Sequence, residues 1–129
     1  RGDRMSNKFI TKLRTEHVKG DVWKLTSALV FQYRGQQIVA PHGFHTDFAS
    51  IKGTLITIFG RPSGTSVEPA VIHDFLYSNK CVGRGQPRYS RLAADKIFLE
   101  AMRVKGVGWF RRNGMYRGVR LFGAVFFRA

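Results

Sequence analysis

The chain has 129 residues, of which 43% are hydrophobic and 13% aromatic, so we expect a globular protein with a buried core and exclude intrinsic disorder. Lysine and arginine number 22 against 8 aspartates and glutamates, and the formal net charge is +14. That charge favours polyanionic partners of any kind: an anionic membrane, nucleic acid or an acidic protein. The single cysteine, Cys81, excludes an internal disulfide.

From the sequence we expect neither a membrane-spanning helix nor a secretory signal peptide. No apolar run reaches the roughly 18 residues that a bilayer requires, and the segment RGDRMSNKF has no apolar signal core. Met5 is a candidate initiator, so we expect residues 1–4 to be a cloning remnant. Because there is no repeat, no low-complexity tract and no internal boundary, we expect residues 1–129 to form a single domain.

The N-terminal segment, up to residue 40, predicts β-strands. In VWKLTSALVFQY (residues 22–33), apolar and polar residues alternate with the period of two of a half-buried strand. Arg34-Gly35 predicts a tight turn into QQIVAP, and hence a β-hairpin. The segment NKFITKLRTEHV (residues 7–18) predicts a further strand.

The C-terminal two thirds predicts mainly helices. EPAVIHDFLYSN (residues 68–79) follows Thr65, which is spaced from Glu68 as in a capping box. Ser90 caps the amphipathic segment RLAADKIFLEAMRVKG, which ends at Gly106, and WFRRNGMYRGVRLFGAVFF predicts a last helix. IKGTLITIFG (residues 51–60) fits a short helix or a strand. We therefore predict an α+β fold, with an N-terminal antiparallel β-sheet of hairpins packed against about three C-terminal helices.

The predicted helices place titratable residues where apolar ones are expected. His73 and Asp74 lie within an apolar helix, and burying either of them unpaired is costly. In the next helix Asp95 shares an inward face with apolar residues at helical spacing, namely Leu92, Phe98, Leu99 and Met102. We therefore expect His73 to meet Asp95, with Tyr77 donating its hydroxyl to the same carboxylate.

Two interpretations of this group of residues are open. A carboxylate on one imidazole nitrogen fixes the tautomer and leaves the other nitrogen as a base, so His73, Asp95 and Tyr77 are candidate catalytic residues. Alternatively, the same contacts only lock two helices together. Asp74 points about 100° away around the helix, where it is available to bind a cation.

Three segments resemble a family of small phage and prophage proteins of unknown function. They are GFHTDFASI, AVIHDFLY and SRLAADKIFLEAM, and the similarity extends over residues 43–123 to include MYRGVRLFG. Lys52 stands where that family has proline. The resemblance implies a viral or prophage origin, and with it a location in the host cytoplasm or in the phage virion.

The pattern H-D-x-x-Y followed by A-D-x-x-F is also similar to phospholipase A2, particularly the domain of parvovirus capsids. This resemblance implies that His73 is the general base and that Asp95, supported by Tyr77, orients it. It also implies Ca²⁺ held by Asp74, with Asp47 as a possible second acidic ligand. The expected substrate is a host membrane lipid ester.

Other chemistries and partners remain open from the sequence. PHGFHTDF contains His42, His45 and Asp47, whose spacing resembles part of a zinc site, so Zn²⁺ is a weaker alternative to Ca²⁺. The arginine-rich last helix carries aromatic residues and fits either an anionic membrane surface or plain packing on the core. A non-enzymatic phage protein, either a virion component or a binder of a host protein, is the alternative function, and non-specific binding to nucleic acid follows from charge alone.

Overall fold

The computed structural model describes residues 6–20, 22–46, 67–78, 88–125 and 127. Within these ranges, short β-strands precede three α-helices and a final 3₁₀ turn. The strands are β1 (Lys8–Phe9), β2 (Thr15–Lys19), β3 (Val22–Leu25), β4 (Leu29–Tyr33), β5 (Gln36–Ala40) and β6 (His45–Thr46). The helices are α1 (Val67–Tyr77), α2 (Arg91–Val104) and α3 (Trp109–Phe122), followed by the 3₁₀ turn Gly123–Val125.

The described strands form two three-stranded antiparallel sheets, one in the order β1-β4-β5 and the other in the order β2-β3-β6. Helix α1 packs against β5 and β6 and against α2, and α2 in turn packs against α3. The predicted α+β class, with antiparallel strands before three helices, is therefore confirmed.

The β4–β5 hairpin has the tight turn that the sequence predicts. Tyr33 pairs with Gln36, and the two residues between them have positive φ, 50° at Arg34 and 80° at Gly35. Positive φ at both central positions is the signature of a type I′ turn, whose twist matches that of the flanking strands. Glycine adopts this conformation without a steric penalty, whereas Arg34 adopts it as a non-glycine residue.

The prediction of one continuous strand over residues 22–33 is wrong. The strand is interrupted after Leu25, and β3 and β4 belong to different sheets. Beyond β3 the amide of Thr26 donates to the carbonyl of Arg14 at 2.9 Å, a contact outside the β-ladders. Side-chain alternation does not reveal such a break because it continues across it.

The segment over residues 7–18 is likewise two strands, β1 and β2, which lie in different sheets. Between them the Thr11 hydroxyl donates to the carbonyl of Ala28 and accepts from the amide of Val30, both at 3.0 Å. This side chain satisfies backbone groups that a continuous strand pair would satisfy, and so the segment bends there.

Helix α1 is the central element of the described helices. All residues from Pro69 to Tyr77 are buried, as expected for a helix that is apolar on every side. Its Glu68 carboxylate is bonded to Lys105, with Oε1 2.6 Å from Nζ, and accepts from the Leu13 amide at 3.2 Å. The predicted capping partner Thr65 and the segment over residues 51–60 lie outside the described residues.

Helix α2 begins and ends as predicted. The Ser90 hydroxyl accepts from the Ala93 amide at 3.1 Å, and Gly106, with φ of 85°, follows the last turn. Asp95, Phe98 and Met102 on its inward face are fully buried. Leu92 is 44% exposed, so its predicted inward position is wrong.

Two clusters of buried apolar side chains form the core of the described residues. One joins the sheets to α1 and α2, and the other joins α1 and α2 to α3 through Phe98, Met102, Met115 and Val119. The predicted last helix is confirmed as α3. Among the described helices, none has the length and apolar character needed to cross a bilayer.

Candidate functional site

The carboxylate of Asp95 is contacted by side chains from the other two helices. Its Oδ1 accepts hydrogen bonds from His73 Nε2 at 2.8 Å and from the Tyr77 hydroxyl at 2.6 Å, both from α1. Its Oδ2 accepts from Arg120 Nη1 of α3 at 2.7 Å. The structure therefore brings together the three residues His73, Tyr77 and Asp95, in the contacts predicted for them. Their catalytic role stays a prediction.

A second arginine stabilises the same region. Arg91 Nη1 lies 3.7 Å from Asp95 Oδ2, one helical turn away on α2. It also donates to the backbone carbonyls of Val119 and Arg120, at 3.1 and 3.3 Å. Because these carbonyls lie in the last turns of α3, the Arg91 cation also interacts favourably with the negative end of that helix.

Burial and hydrogen bonding set the protonation states of this group. Burial lowers the pKa of His73 below its ordinary 6.5, although Asp95 partly opposes the shift. Burial would raise the pKa of Asp95, but hydrogen bonds from His73, Tyr77 and Arg120 outweigh that effect and lower it. Burial and the Asp95 carboxylate together raise the pKa of Tyr77. At neutral pH the group therefore consists of a neutral imidazole, an ionised carboxylate and a protonated phenol.

These protonation states assign the tautomer of His73. An ionised carboxylate can only accept, so His73 Nε2 must carry the proton in its bond to Asp95. Nδ1 then carries a lone pair. This nitrogen is buried and has no hydrogen-bond partner among the described residues. A buried acceptor without a donor costs about 1–3 kcal/mol, so this atom requires an explanation.

Aromatic rings fix the orientation of the imidazole. The ring centroid of His73 lies 4.1 Å from that of Tyr77 and 4.5 Å from that of Phe98. The His73 side chain has no solvent-exposed surface. With Nε2 held by Asp95 and both neighbouring rings in contact, the imidazole is held in a single orientation.

The predicted cation ligand Asp74 is 5% exposed. Its Oδ2 accepts a 2.5 Å hydrogen bond from the hydroxyl of Thr46, the last residue of β6. The second predicted ligand, Asp47, lies outside the described residues. Within the described ranges there is no group of three histidine, cysteine or acidic side chains that could hold a metal ion.

The residues of the alternative zinc site are also only partly described. His42 and His45 are exposed, and His45 Nδ1 bonds to the carbonyl of Gly43 at 3.0 Å. Because the third predicted ligand, Asp47, is outside the described residues, neither the calcium nor the zinc prediction is tested by the geometry.

Sequence reasoning missed the contribution of Arg91 and Arg120 to the Asp95 site. In the sequence Arg120 is only one of the arginines of the last helix, and its ion pair with a buried carboxylate gives it a position that the sequence did not predict. The Arg91-to-Asp95 spacing of four residues was a visible signal, since such side chains are neighbours on a helix. The Arg120 contact had no sequence signal because it depends on how α3 crosses α2.

Comparison with known proteins assigns a family and no activity. A family described as "protein of unknown function" (DUF1353) matches residues 23–119, which include every described residue of the Asp95 site except Arg120. No curated protein and no solved structure matches the chain. Because the match covers more than half of the chain, the protein belongs to the DUF1353 family.

Proposed function

We propose that this protein is a hydrolase in which His73 acts as the general base. The observation that carries the proposal is Nδ1 of His73, which has no partner among the described residues and lies opposite the Nε2–H that Asp95 holds. A neutral imidazole held by a carboxylate on one nitrogen is suited to take a proton on the other. The lowered pKa of His73 keeps that nitrogen unprotonated at neutral pH.

The proposed reaction is ester hydrolysis by activated water. Nδ1 of His73 takes a proton from a water molecule as its oxygen attacks the ester carbonyl carbon. The carbon–oxygen bond to the alcohol then breaks, and the leaving oxygen takes the proton back from His73. Asp95 acts as a positioning residue, because its carboxylate stabilises the imidazolium that forms in between, and the Tyr77 hydroxyl holds that carboxylate in place.

The proposed substrate is an ester of host membrane lipid. The similarity of H-D-x-x-Y and A-D-x-x-F to phospholipase A2 supports this class. Helix α3 adds support, since Trp109, Phe110 and Leu121 are exposed on an arginine-rich helix without acidic residues, a composition suited to an anionic membrane surface. On the same resemblances we propose a phage or prophage origin, with action in the host cytoplasm or from the virion.

A cation at this site remains part of the proposal. Ca²⁺ held by Asp74 and Asp47 follows from the phospholipase resemblance, and Zn²⁺ at His42, His45 and Asp47 is the alternative. Asp74 is the one of these acidic residues that the structure describes, and its carboxylate is bonded to Thr46, so no catalytic step is assigned to a cation here. Calorimetric titration of metal-stripped protein with Ca²⁺ and then Zn²⁺, beside Asp74→Asn, distinguishes the two sites.

The complete burial of His73 favours a second candidate function. A base without exposed surface meets water only after a local opening, whereas a structural pair needs no access. In this alternative the protein is a non-enzymatic phage component or a binder of a host or phage protein, and the Asp95 contacts only hold the helices together.

The deciding experiment compares phospholipid ester hydrolysis on anionic vesicles by the wild type and by His73→Gln. The amide nitrogen of glutamine can replace Nε2 as the donor to Asp95, but glutamine has no basic nitrogen. We expect hydrolysis to fall by about 10²–10⁴-fold, the usual contribution of a general base, while the chain stays folded. His17→Gln on the exposed strand β2 is the matched control. Unchanged hydrolysis in His73→Gln would exclude the proposed mechanism.

A further inference from the structure

A groove of about 490 Å³ lies between α2 and α3, and the β4–β5 turn closes one side of it. The residues that line it are spaced three or four apart on each helix, so each helix contributes one continuous face. They are Lys96, Leu99, Glu100 and Arg103 of α2 and Trp109, Arg112, Asn113 and Tyr116 of α3, with Asn7, Tyr33 and Arg34 at the side. Volumes of about 300–1,000 Å³ are usual for small-ligand sites.

The charge of this groove is strongly positive. Of the described residues that line it, four are cationic and one, Glu100, carries a carboxylate. That carboxylate accepts from Arg103 through two hydrogen bonds, at 2.8 and 2.7 Å, and from Asn7 at 2.7 Å. In the part of the chain that the structure describes, the other three cations, which are Arg34, Lys96 and Arg112, have no carboxylate within ion-pair distance. The hydrogen bonds from Arg103 lower the pKa of the Glu100 carboxyl, and Arg112 is still close enough to help to lower it.

The start of α3 adds positive potential at one end of the groove. Gly108, its N-cap residue, has no side chain to accept from the first amides of the helix. Arg112 lies one turn further along the helix, and its Nη1 donates to the Val107 carbonyl at 3.0 Å. The guanidinium has five N–H donors, so others remain to bind a ligand. Together these groups suit a phosphate.

Aromatic side chains make up the rest of the lining. Tyr33, Trp109 and Tyr116 contribute rings, and Trp109 is 59% exposed at the groove. An indole with so much exposed surface beside several cations provides a stacking surface for a planar ring. The Arg34 guanidinium lies 5.5 Å from the centre of the Tyr33 ring, and the same cation–π contact is available to a bound base.

We propose that this groove binds a nucleotide, with its phosphate among Lys96, Arg112 and Arg34 and its base stacked on Trp109. The nucleotide is either free or one unit of a single-stranded nucleic acid, since both present the same phosphate and planar base. The net charge of +14 adds long-range attraction for the polymer. This site uses none of the His73 contacts, so it can be tested independently of the proposed general base; it shares only Trp109 with the face of α3 proposed to meet the membrane.

The test is a set of titrations of the whole chain at low salt. One arm uses adenosine monophosphate, a second uses a fluorescent single-stranded DNA of about 10 nucleotides, and a third uses inorganic pyrophosphate, which lacks a base. We expect the first or second arm to bind more tightly than the third. Binding only in the second arm identifies the polymer as the source of the nucleotide, and equal binding in all three overturns the role of the aromatic rings.

Matched variants locate the binding. Arg34→Gln/Lys96→Gln should weaken it at least about tenfold, whereas Lys12→Gln/Arg14→Gln, which removes the same charge from exposed positions outside the groove, should change it less than about twofold. Trp109→Ala should weaken it at least about fivefold and the neighbouring Phe110→Ala should not, because stacking is specific to the ring in the groove. Equal losses in groove and control variants, or no binding in any arm, would overturn the proposal.

Discussion

At the scale of single residues, His73 combines three properties, one of which a purely structural role leaves unexplained. It is fully buried, its Nε2 is held by an ionised carboxylate, and its Nδ1 has no partner among the described residues. A packing role accounts for the first two properties. It does not account for the third, because a phenylalanine would fill the same space without leaving an acceptor unsatisfied.

The lowered pKa of His73 predicts how stability depends on pH. Between that lowered pKa and 6.5 the unfolded chain binds a proton at His73 that the folded chain does not, so the free energy of unfolding rises with pH. The contribution is fully present above pH 6.5 and is lost as pH falls through the folded pKa, by up to about 1.4 kcal/mol per pH unit.

Urea denaturation from about pH 7.5 to about pH 5 measures this slope. On acidification the free energy of unfolding should fall less in His73→Gln than in the wild type, because the variant lacks the proton that the unfolded wild type takes up at residue 73. The exposed His17→Gln variant should retain the slope of the wild type. An identical slope in His73→Gln and the wild type would contradict the assigned protonation state.

We expect the Tyr77 hydroxyl to contribute to the stability of the folded chain. Tyr77→Phe keeps the buried ring but removes the 2.6 Å hydrogen bond to Asp95. We expect a loss of about 1.5–3 kcal/mol in the free energy of unfolding, because the acceptor is charged. Tyr89→Phe is the control, since it removes a 3.1 Å bond between exposed neutral groups. Equal losses in the two variants would show that the Asp95 carboxylate does not depend on Tyr77.

At the scale of secondary-structure elements, α3 is attached to the other helices by both polar and apolar contacts. Arg120 of α3 bonds to Asp95 of α2, and Arg91 of α2 bonds to carbonyls at the end of α3. Met115 and Val119 pack into the second core cluster. The polar contacts lie at the last turn of α3, which they hold beside Asp95.

Arg120→Met tests this attachment. The variant keeps much of the side-chain volume but leaves Asp95 Oδ2 without its 2.7 Å donor. We expect a loss of about 1.5–3 kcal/mol and faster hydrogen exchange of α3 amides than of the β4–β5 hairpin. Arg117→Met, at an exposed position of the same helix, should change neither quantity. Uniform acceleration across the chain would instead indicate global destabilisation.

Elements whose ends are set by contacts within a few residues along the chain were predictable, whereas those set by contacts distant in sequence were not. Ser90 and Gly106 act through atoms three or four residues away, so the ends of α2 were predictable. The Arg34-Gly35 turn was predictable for the same reason. The separation of β3 from β4 was not, because it involves contacts such as those of Thr11 with Ala28 and Val30, which are distant in sequence.

At the scale of the whole molecule, the Asp95 site connects all three described helices through one carboxylate. The contacts of His73 and Tyr77 with Asp95 were predictable from helical spacing, since His73 and Tyr77 are one turn apart and Asp95 lies on an apolar face. The contact contributed by Arg120 depends on helix crossing. The basic groove between α2 and α3 likewise depends on how these helices pack, and no local pattern predicted it.

The pH dependence of phospholipid ester hydrolysis on anionic vesicles tests the central claim most directly, with the wild type and His73→Gln measured in parallel. A base with a lowered pKa predicts a rate that is constant above pH 6.5 and falls at more acidic pH, as Nδ1 becomes protonated. His73→Gln should be slower by about 10²–10⁴-fold above pH 6.5, and the gap should narrow at acidic pH as the wild type loses its base. A wild-type rate no higher than that of His73→Gln at every pH would contradict the assignment of His73 as the base.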